Sequence, residues 1–489
     1  MGILSIFGKK DQSSKENLVQ DSINDDVKVE EKKESAAQAS SEKKIVPPTG
    51  AFTAFSYGVQ DTFGLKDSND LVVIGKVKGT IKASDDIYIT NVGDDKQPIV
   101  KTKIVGLEID KKRVESASDC LVAICVKNGA MSCLKKGSVI HSESASNNDK
   151  HAAYISALGD MFILRQDFTF DEIDLDNMSI TDCAEALKLY GWYISREGLA
   201  ETEDQRAEYR KKIEVVAKEM CKKILAADEI YCVCNTITGE PHLFSKTIKQ
   251  EQGFFCTPPE ILLVPAAYAS VYKETYSQGH FEFKRIINGP DGTGIKKFLE
   301  DAFYVNGALG ASVISDMSGV PAAKLVAKPD YSNVAEADIP VTNPELERWI
   351  LLLTQLGQPK SEEDEIIYKL YFRFMSREIT KARLIVPAKV EGKLPAPNKD
   401  GVTVITEGTK VSFSTIPSKD GRDAVRMYTD YRKFRAEFTS EWEAMVGPLS
   451  DMIKSFDCAV NMSKTYRAGC YINKDMYEEM KELGKWEKH

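Results

Sequence analysis

The chain has 489 residues, 42% of them hydrophobic and 28% charged, with 74 acidic against 65 basic residues and a formal net charge of -9. The acid excess excludes a protein that coats nucleic acid or anionic lipid through bulk charge. At roughly 150 residues per domain the length predicts about three domains, and no stretch approaches the roughly 20 apolar residues that span a bilayer.

The opening Met-Gly-Ile-Leu-Ser-Ile-Phe-Gly has too short an apolar run for a secretory signal. The ten scattered cysteines are therefore expected to be reduced and mostly buried, in a cytoplasmic protein. Residues 1–48 are rich in Lys, Glu, Asp, Ser and Gln, with no aromatic after Phe7. Such a segment cannot bury enough apolar surface to offset its ordering entropy, so it is expected to be disordered. Its first residues, Ile3, Leu4, Ile6 and Phe7, read either as an ordinary bacterial-style terminus or as a docking tip for a partner or membrane surface. Myristoylation fits poorly, because Ile6 stands where the motif wants Ser or Thr.

Residues 52–142 show short alternating runs at 53–59, 71–78, 86–92, 99–108, 120–127 and 138–142, punctuated by Gly79, Gly93, Gly129 and Gly137. That pattern predicts a small antiparallel barrel. "SESASNNDKH" (142–151) reads as a polar linker. Helices are expected at 180–194 and 202–226 from their apolar spacing. Strands follow at 229–236, 242–248 and 260–268, then a helix at 293–305, a strand at 309–315 and a short helix near 319–327. "KPDYSNVAEADIPVTNP" (328–344) is a second linker. Residues 345–483 repeat this order: helices at 345–357 and 362–379, strands at 382–389, 403–407 and 410–418, helices near 420–435 and 448–456, and a strand at 468–474. "FLEDAFYVNGALGASVIS" stands in the first unit where "MIKSFDCAVNMSKTYRAGCYINK" stands in the second. Residues 151–327 and 345–483 thus read as two divergent copies of one α+β module.

The barrel segment resembles domain 2 of elongation factor Tu. "VQDTFGLKDSNDLVVIGKVKGTIKASDDIYI" (59–89), "KIVGLEIDKKRVESASDCLVAICVKNG" (103–129) and "LKKGSVI" (134–140) follow that family's motifs in order. The resemblance implies a six-stranded-type barrel. GTPase activity does not come with it: no G-x-x-x-x-G-K-[ST] loop exists, and "GPDGTGIKK" (289–297) misplaces its lysines. Two positions depart from the family, which has Gly at Ser118 and Arg-Gly at Asn128-Gly129. A local basic face of Lys76, Lys78, Lys82, Lys111, Lys112 and Arg113 offers RNA contact as one reading, and solvated strand ends balanced by Asp85, Asp86, Asp94 and Asp95 as the other.

The two following units resemble SseB-type domains, the family named for enhanced serine sensitivity. In the second, "KARLIVPAKV" (381–390), "VSFSTIPSKDGRDAVRMYTDYRKF" (411–434) and "YINKDMYEEMKEL" (471–483) follow the family order. In the first, "EIYCVCNTITGEPHL" and "ILLVPAAYASVYKE" hold comparable places. The resemblance supplies no catalytic set and implies an accessory or interaction module.

No chemistry assembles by motif. "CVC" (232–234) puts two thiols on one strand face but lacks the second pair of a zinc site. "DEIDLDN" (171–177) lacks the turn Gly and closing Glu of a calcium loop. His141, His151, His242, His280 and His489 are the only histidines, and no G-x-S-x-G elbow occurs. The stretch "YTDYRKFRAEFTSEWEAM" (428–445) is dense in aromatics and arginines. Tyr428, Tyr431, Arg432, Arg435 and Trp442 read either as an interaction surface or, for the aromatics, as module core. These residues point to a multidomain, non-enzymatic cytosolic adaptor acting by protein recognition, without cofactor or metal. The competing readings are a translation-associated factor touching ribosome or tRNA through the barrel, and an enzyme in a cleft between the α+β units.

Overall fold

The computed structural model describes residues 54–64, 70–94, 99–127, 133–164, 169–195, 202–250, 253–335, 338–391, 409–417, 422–463 and 467–485. The tail at 1–48 with its tip Ile3, Leu4, Ile6 and Phe7, and the strand expected at 403–407, lie outside these residues.

The first region contains β1 (Ser56–Gly64), β2 (Leu71–Lys78), β3 (Thr80–Lys82), β4 (Asp86–Thr90), β5 (Val100–Ile109), β6 (Lys112–Val114), β7 (Ser116–Ser118), β8 (Leu121–Val126) and β9 (Val139–His141). Six strands in the order β4-β9-β1-β2-β8-β5 close into an antiparallel barrel through a β4–β5 pairing. In β2, Leu71, Val73, Gly75 and Val77 point inward and alternate with exposed or half-buried neighbours, the period of two that half-buried strands require. Tyr57 is fully buried inside, and its hydroxyl donates to the carbonyls of Val73 (3.1 Å) and Val122 (2.9 Å), so its polar tip is satisfied. β5 continues into a tight hairpin with β6 at Asp110 and Lys111, whose φ angles of 49° and 63° suit a primed turn that right-twisted strands favour.

Residues 142–151, expected to be a linker, are half helix. α1 (Asn147–Gly159) begins there, with Ser146 accepting from the Asp149 N–H as its N-cap. α1 lies against β1, and Gly58 makes the approach possible: a Cβ there would sit 2.3 Å from the Ala153 carbonyl oxygen. The segment after the barrel is therefore bolted to it.

The first α+β unit continues through α2 (Glu172–Asn177), α3 (Ile180–Ser195), α4 (Glu203–Ala226), β10 (Glu229–Asn235), β11 (Thr247–Gln250), β12 (Gly253–Cys256), β13 (Glu260–Val264), α5 (Ala269–Thr275), β14 (Phe281–Ile287), α6 (Gly294–Tyr304), β15 (Gly310–Val313), β16 (Ser315–Pro321) and α7 (Ala322–Leu325). Its sheet runs β14-β10-β13-β15-β16, with β13–β15 as the parallel pair. β11 and β12 form a separate hairpin.

The second unit comprises α8 (Pro344–Leu356), α9 (Glu362–Ile379), β17 (Arg383–Glu391), β18 (Lys410–Phe413), β19 (Thr415–Pro417), β20 (Asp423–Met427), α10 (Tyr431–Glu437), β21 (Glu443–Pro448), α11 (Leu449–Met452), β22 (Asp457–Val460), β23 (Cys470–Ile472) and α12 (Lys474–Leu483). β21 pairs with β17, and β20 with β22 and β22 with β23; reciprocal Ile385–Tyr428 backbone hydrogen bonds of 2.8 Å join β17 to β20. The resulting order β21-β17-β20-β22-β23 repeats that of the first sheet, again with one parallel pair, β20–β22. The register repeats as well. Ile314 follows β15 and Asn461 follows β22, both at positive φ (68° and 51°), and their N–H groups donate to Leu263 and Met427 at the ends of β13 and β20.

Several element expectations change. The helix expected at 420–435 is strand β20 followed by α10, because Ala424, Val425 and Met427 are buried beside β22 and Asp430 caps a helix that starts at Tyr431. The strand expected at 260–268 ends at Val264, before Pro265. "DEIDLDN", set against a calcium loop above, is α2 behind its cap, with Asp171 accepting from the Asp174 N–H. The helix near 319–327 is the strand β16 and the single turn α7, and that at 448–456 shrinks to α11.

Each sheet has two faces. The inner faces feed one continuous buried cluster that includes Ile230, Cys232, Cys234, Leu263 and Val313 from the first unit and Leu346, Ile350, Met427 and Val460 from the second. The outer faces carry small separate clusters, Val233, Leu262 and Val264 in the first and Ile385, Tyr428, Phe434 and Phe438 in the second. Polar ties cross the junction. Arg348 Nε donates to the Gly307 carbonyl at 2.5 Å. The Gln355 amide, oriented to satisfy both groups, donates to the Leu243 carbonyl at 3.0 Å and accepts its N–H at 2.9 Å. Gly307, at φ 82°, leaves no room for a side chain, since a Cβ would lie 1.9 Å from the Pro344 carbonyl oxygen. Among the described residues no helix is long and apolar enough to cross a membrane.

Candidate functional site at the junction of the two α+β units

The carboxyl ends of the parallel strands β20 and β22 carry a buried polar network. Thr429 and Asp430 follow β20, Asn461 follows β22, Lys433 projects from α10, and Glu347 comes from α8; all five are at most 6% exposed. Lys433 Nζ donates to Asp430 Oδ2 at 2.7 Å and pairs with Glu347 Oε1 at 3.1 Å. Glu347 Oε2 accepts from Thr429 Oγ1 at 2.9 Å and Asn461 Nδ2 at 3.0 Å. Burial alone pulls the Lys433 ammonium down, but Glu347 and Asp430 outweigh it and hold it above its ordinary value. Burial pushes the Asp430 carboxyl up, and Lys433 overrides that to leave it below the carboxylate range. Both shifts favour the charged forms of the pair.

A cleft of about 340 Å³ opens above this network. Its near wall is Tyr428, Arg432, Lys433, Ala436, Asn461 and Ser463 of the second unit, and its far wall is the Thr238–Pro241 turn, Lys284 and the α6 face of the first. Arg432 bridges it: one guanidinium nitrogen donates to Glu240 Oε1 (2.7 Å) and Asn306 Oδ1 (2.9 Å), and another lies 3.6 Å from Asp301. Asn306 in turn donates to Glu240 Oε2 at 2.7 Å. Burial pushes the Asp301 carboxyl up, opposed by Arg432.

The structure places the residues singled out in 428–445 in different settings. Tyr428 is 1% exposed, and Tyr431 and Trp442 are half-buried against Phe434 and Phe438, so the aromatics build the outer-face core. Sequence spacing could not separate these roles, because the helix expected at 420–435 is strand β20 and helix α10, divided at Thr429–Asp430. Arg432 turns into the cleft, and Arg435 stays on the surface, donating to the Thr439 and Trp442 carbonyls. Glu347, Lys433 and Asn461 carried no sequence signal, since each lies in an unremarkable amphipathic or loop context.

The basic residues of the barrel are spread over β2, β3 and the β5–β6 hairpin. Lys76 pairs with Asp160 (2.8 Å) and Lys78 with Asp149 (3.6 Å), both acids supplied by α1 and the turn after it. Lys82 sits on β3, while Lys111, Lys112 and Arg113 sit at the β5–β6 hairpin. Cys232 and Cys234 are fully buried in the inner core, where burial raises the Cys232 thiol. His242 faces away from them, against Phe244 and Phe281. All ten cysteines are free thiols. No group of three or more His, Cys, Asp or Glu side chains among the described residues is arranged to hold a metal ion.

One further surface was not legible in the sequence. The β11–β12 hairpin stands apart from both larger sheets, with Ile248, Phe254 and Phe255 42% to 50% exposed. Its root, at Thr247 and Ser245, meets Tyr371 of α9.

No family model matches the chain, and no curated protein matches it. Two solved structures of translation elongation factor SelB from Methanococcus maripaludis, one with the GTP analogue GppNHp and one without, are similar at 18% identity and a TM-score of 0.17. The similarity spans 19% of this chain and 19% of theirs.

Proposed function

We propose that the protein is a non-enzymatic binding protein of the cytoplasm, an adaptor that recognises a protein partner through its SseB-like α+β units, with the barrel as a mount. The observation that carries this reading is the β11–β12 hairpin. Two strands alone are marginally stable in water, and their outer edges present unpaired backbone groups. Ile248, Phe254 and Phe255 add exposed apolar anchors beside those edges, the combination by which a partner strand is added and held. The clamped charges of the junction support a rigid frame for this hairpin rather than a reacting centre.

The test is quantitative affinity purification from the native cell with the wild-type chain and with Phe254→Ser/Phe255→Ser. The specific partner is expected to be lost from the double variant while its melting temperature stays within a few degrees of wild type. Retention of every wild-type partner by a folded double variant would sink the proposal.

A further inference from the structure

The cleft above β20 and β22 holds a pattern that the frame does not need. Most of its ions are committed: Lys433 to Glu347 and Asp430, and Arg432 to Glu240. Two are not. Lys284, on β14, is exposed and has no ion-pair partner among the described residues. Asp301, on α6, has a half-exposed side chain whose one ion-pair contact is the long 3.6 Å approach to Arg432. These opposite charges line one cavity without pairing with each other. Phe298, Ala302, Ala436 and Tyr428 line the same cavity.

From this geometry we infer that the cleft binds a small zwitterion, whose anionic group meets Lys284 and whose ammonium meets Asp301, with a short apolar body between. The inference does not depend on the hairpin's partner. The location is where open sheets with parallel strands take ligands, outside the strand carboxyl ends. The volume of about 340 Å³ lies at the small end of the roughly 300–1,000 Å³ typical of ligand pockets. A lone carboxylate would leave Asp301 unanswered and repelled, and a lone amine would do the same to Lys284. A ligand with both charges satisfies the two together, and charge-assisted hydrogen bonds in a half-enclosed site are the stronger kind. Burial already pushes the Asp301 carboxyl up against the opposing pull of Arg432, and an ammonium beside it would add to that pull.

The test compares γ-aminobutyrate, butyrate and butylamine by calorimetry on the full chain. γ-Aminobutyrate is expected to bind at least about tenfold tighter than either half-molecule. Lys284→Gln is expected to reduce its affinity to that of butylamine, and Asp301→Asn to that of butyrate. Both side chains reach solvent, so the variants should melt with the wild type, and that is checked in parallel. Absence of γ-aminobutyrate binding at millimolar concentration, equal affinity for all three compounds, or unchanged binding in both folded variants overturns the inference.

Discussion

The two α+β units share a sheet order, a single parallel pair and a residue at positive φ after the second parallel strand, yet their strand ends hold opposite chemistry. Register places Pro265 and Ala266 of the first unit where the second has Thr429 and Asp430, and Ile314 where it has Asn461. Glu185 of α3, buried like Glu347, pairs with the partly exposed Lys188 and stands near Tyr268 and Tyr272 rather than in a closed network. Backbone topology is therefore alike in the two units while the polar content of the same place differs. The difference teaches why this strand-end network stands in one unit alone. An ionic cluster is tolerated only when every member is satisfied, and the second unit is the one whose strand ends are roofed by its neighbour, through Glu240, Asn306 and Asp301.

The largest expected effect tests that contrast directly. Glu347→Ala takes one of its two carboxylates from the buried Lys433 and withdraws the acceptor of two hydrogen bonds, and is expected to cost about 3–5 kcal/mol in chemical denaturation. Glu185→Ala, beside a lysine that can turn to water, is expected to cost about 1–2 kcal/mol. Equal losses would mean the two sites are energetically alike, whatever their side chains.

A second prediction sharpens the comparison between the outer clusters. Burial pushes the His242 imidazole down to about 4, with one ring nitrogen unpartnered. The unfolded chain takes up this proton at its ordinary value near 6.5 and the folded chain does not until about 4, so stability falls as pH drops through that window. The loss is up to about 3 kcal/mol by linkage, and His242→Gln should remove it from a pH series of melting temperatures. The second unit's outer cluster has no such group, and an unaltered acid transition in the variant would assign the sensitivity elsewhere.

The smallest effect concerns the bridge between copies. Arg432→Ala breaks a partly exposed pair and is expected to cost about 1 kcal/mol or less, measured by denaturation, because the shared apolar core carries the junction. A loss comparable to that of Glu347→Ala would instead make the guanidinium the main tie.

The barrel was the most legible region. Strand β2 has the bounds that its alternation predicts, because one face of every barrel strand is buried and leaves a period of two. The repeated order of elements was visible in part as well, and the two sheets share a strand order. Boundaries failed where capping chemistry outweighed composition: "SASNND" looks like a linker until Ser146 caps α1, and Asp430 splits the expected helix at 420–435. The junction was invisible for a different reason. Glu240, Asn306, Glu347, Arg432 and Asn461 are far apart in the chain and meet only because two copies pack face to face, which no local periodicity records.

The continuous core also has a consequence in time. A ribosome delivers the first unit well before α8, whose Leu346 and Ile350 belong to the same buried cluster as Ile230 and Leu263. Until those residues emerge, the inner face of the first sheet lacks part of its cover, and exposed apolar surface of that kind recruits chaperones or aggregates. The last third of the chain thus acts on the middle third as a fold-completing partner that arrives late by construction, and a premature stop before residue 346 is expected to yield an insoluble product rather than a shorter working one.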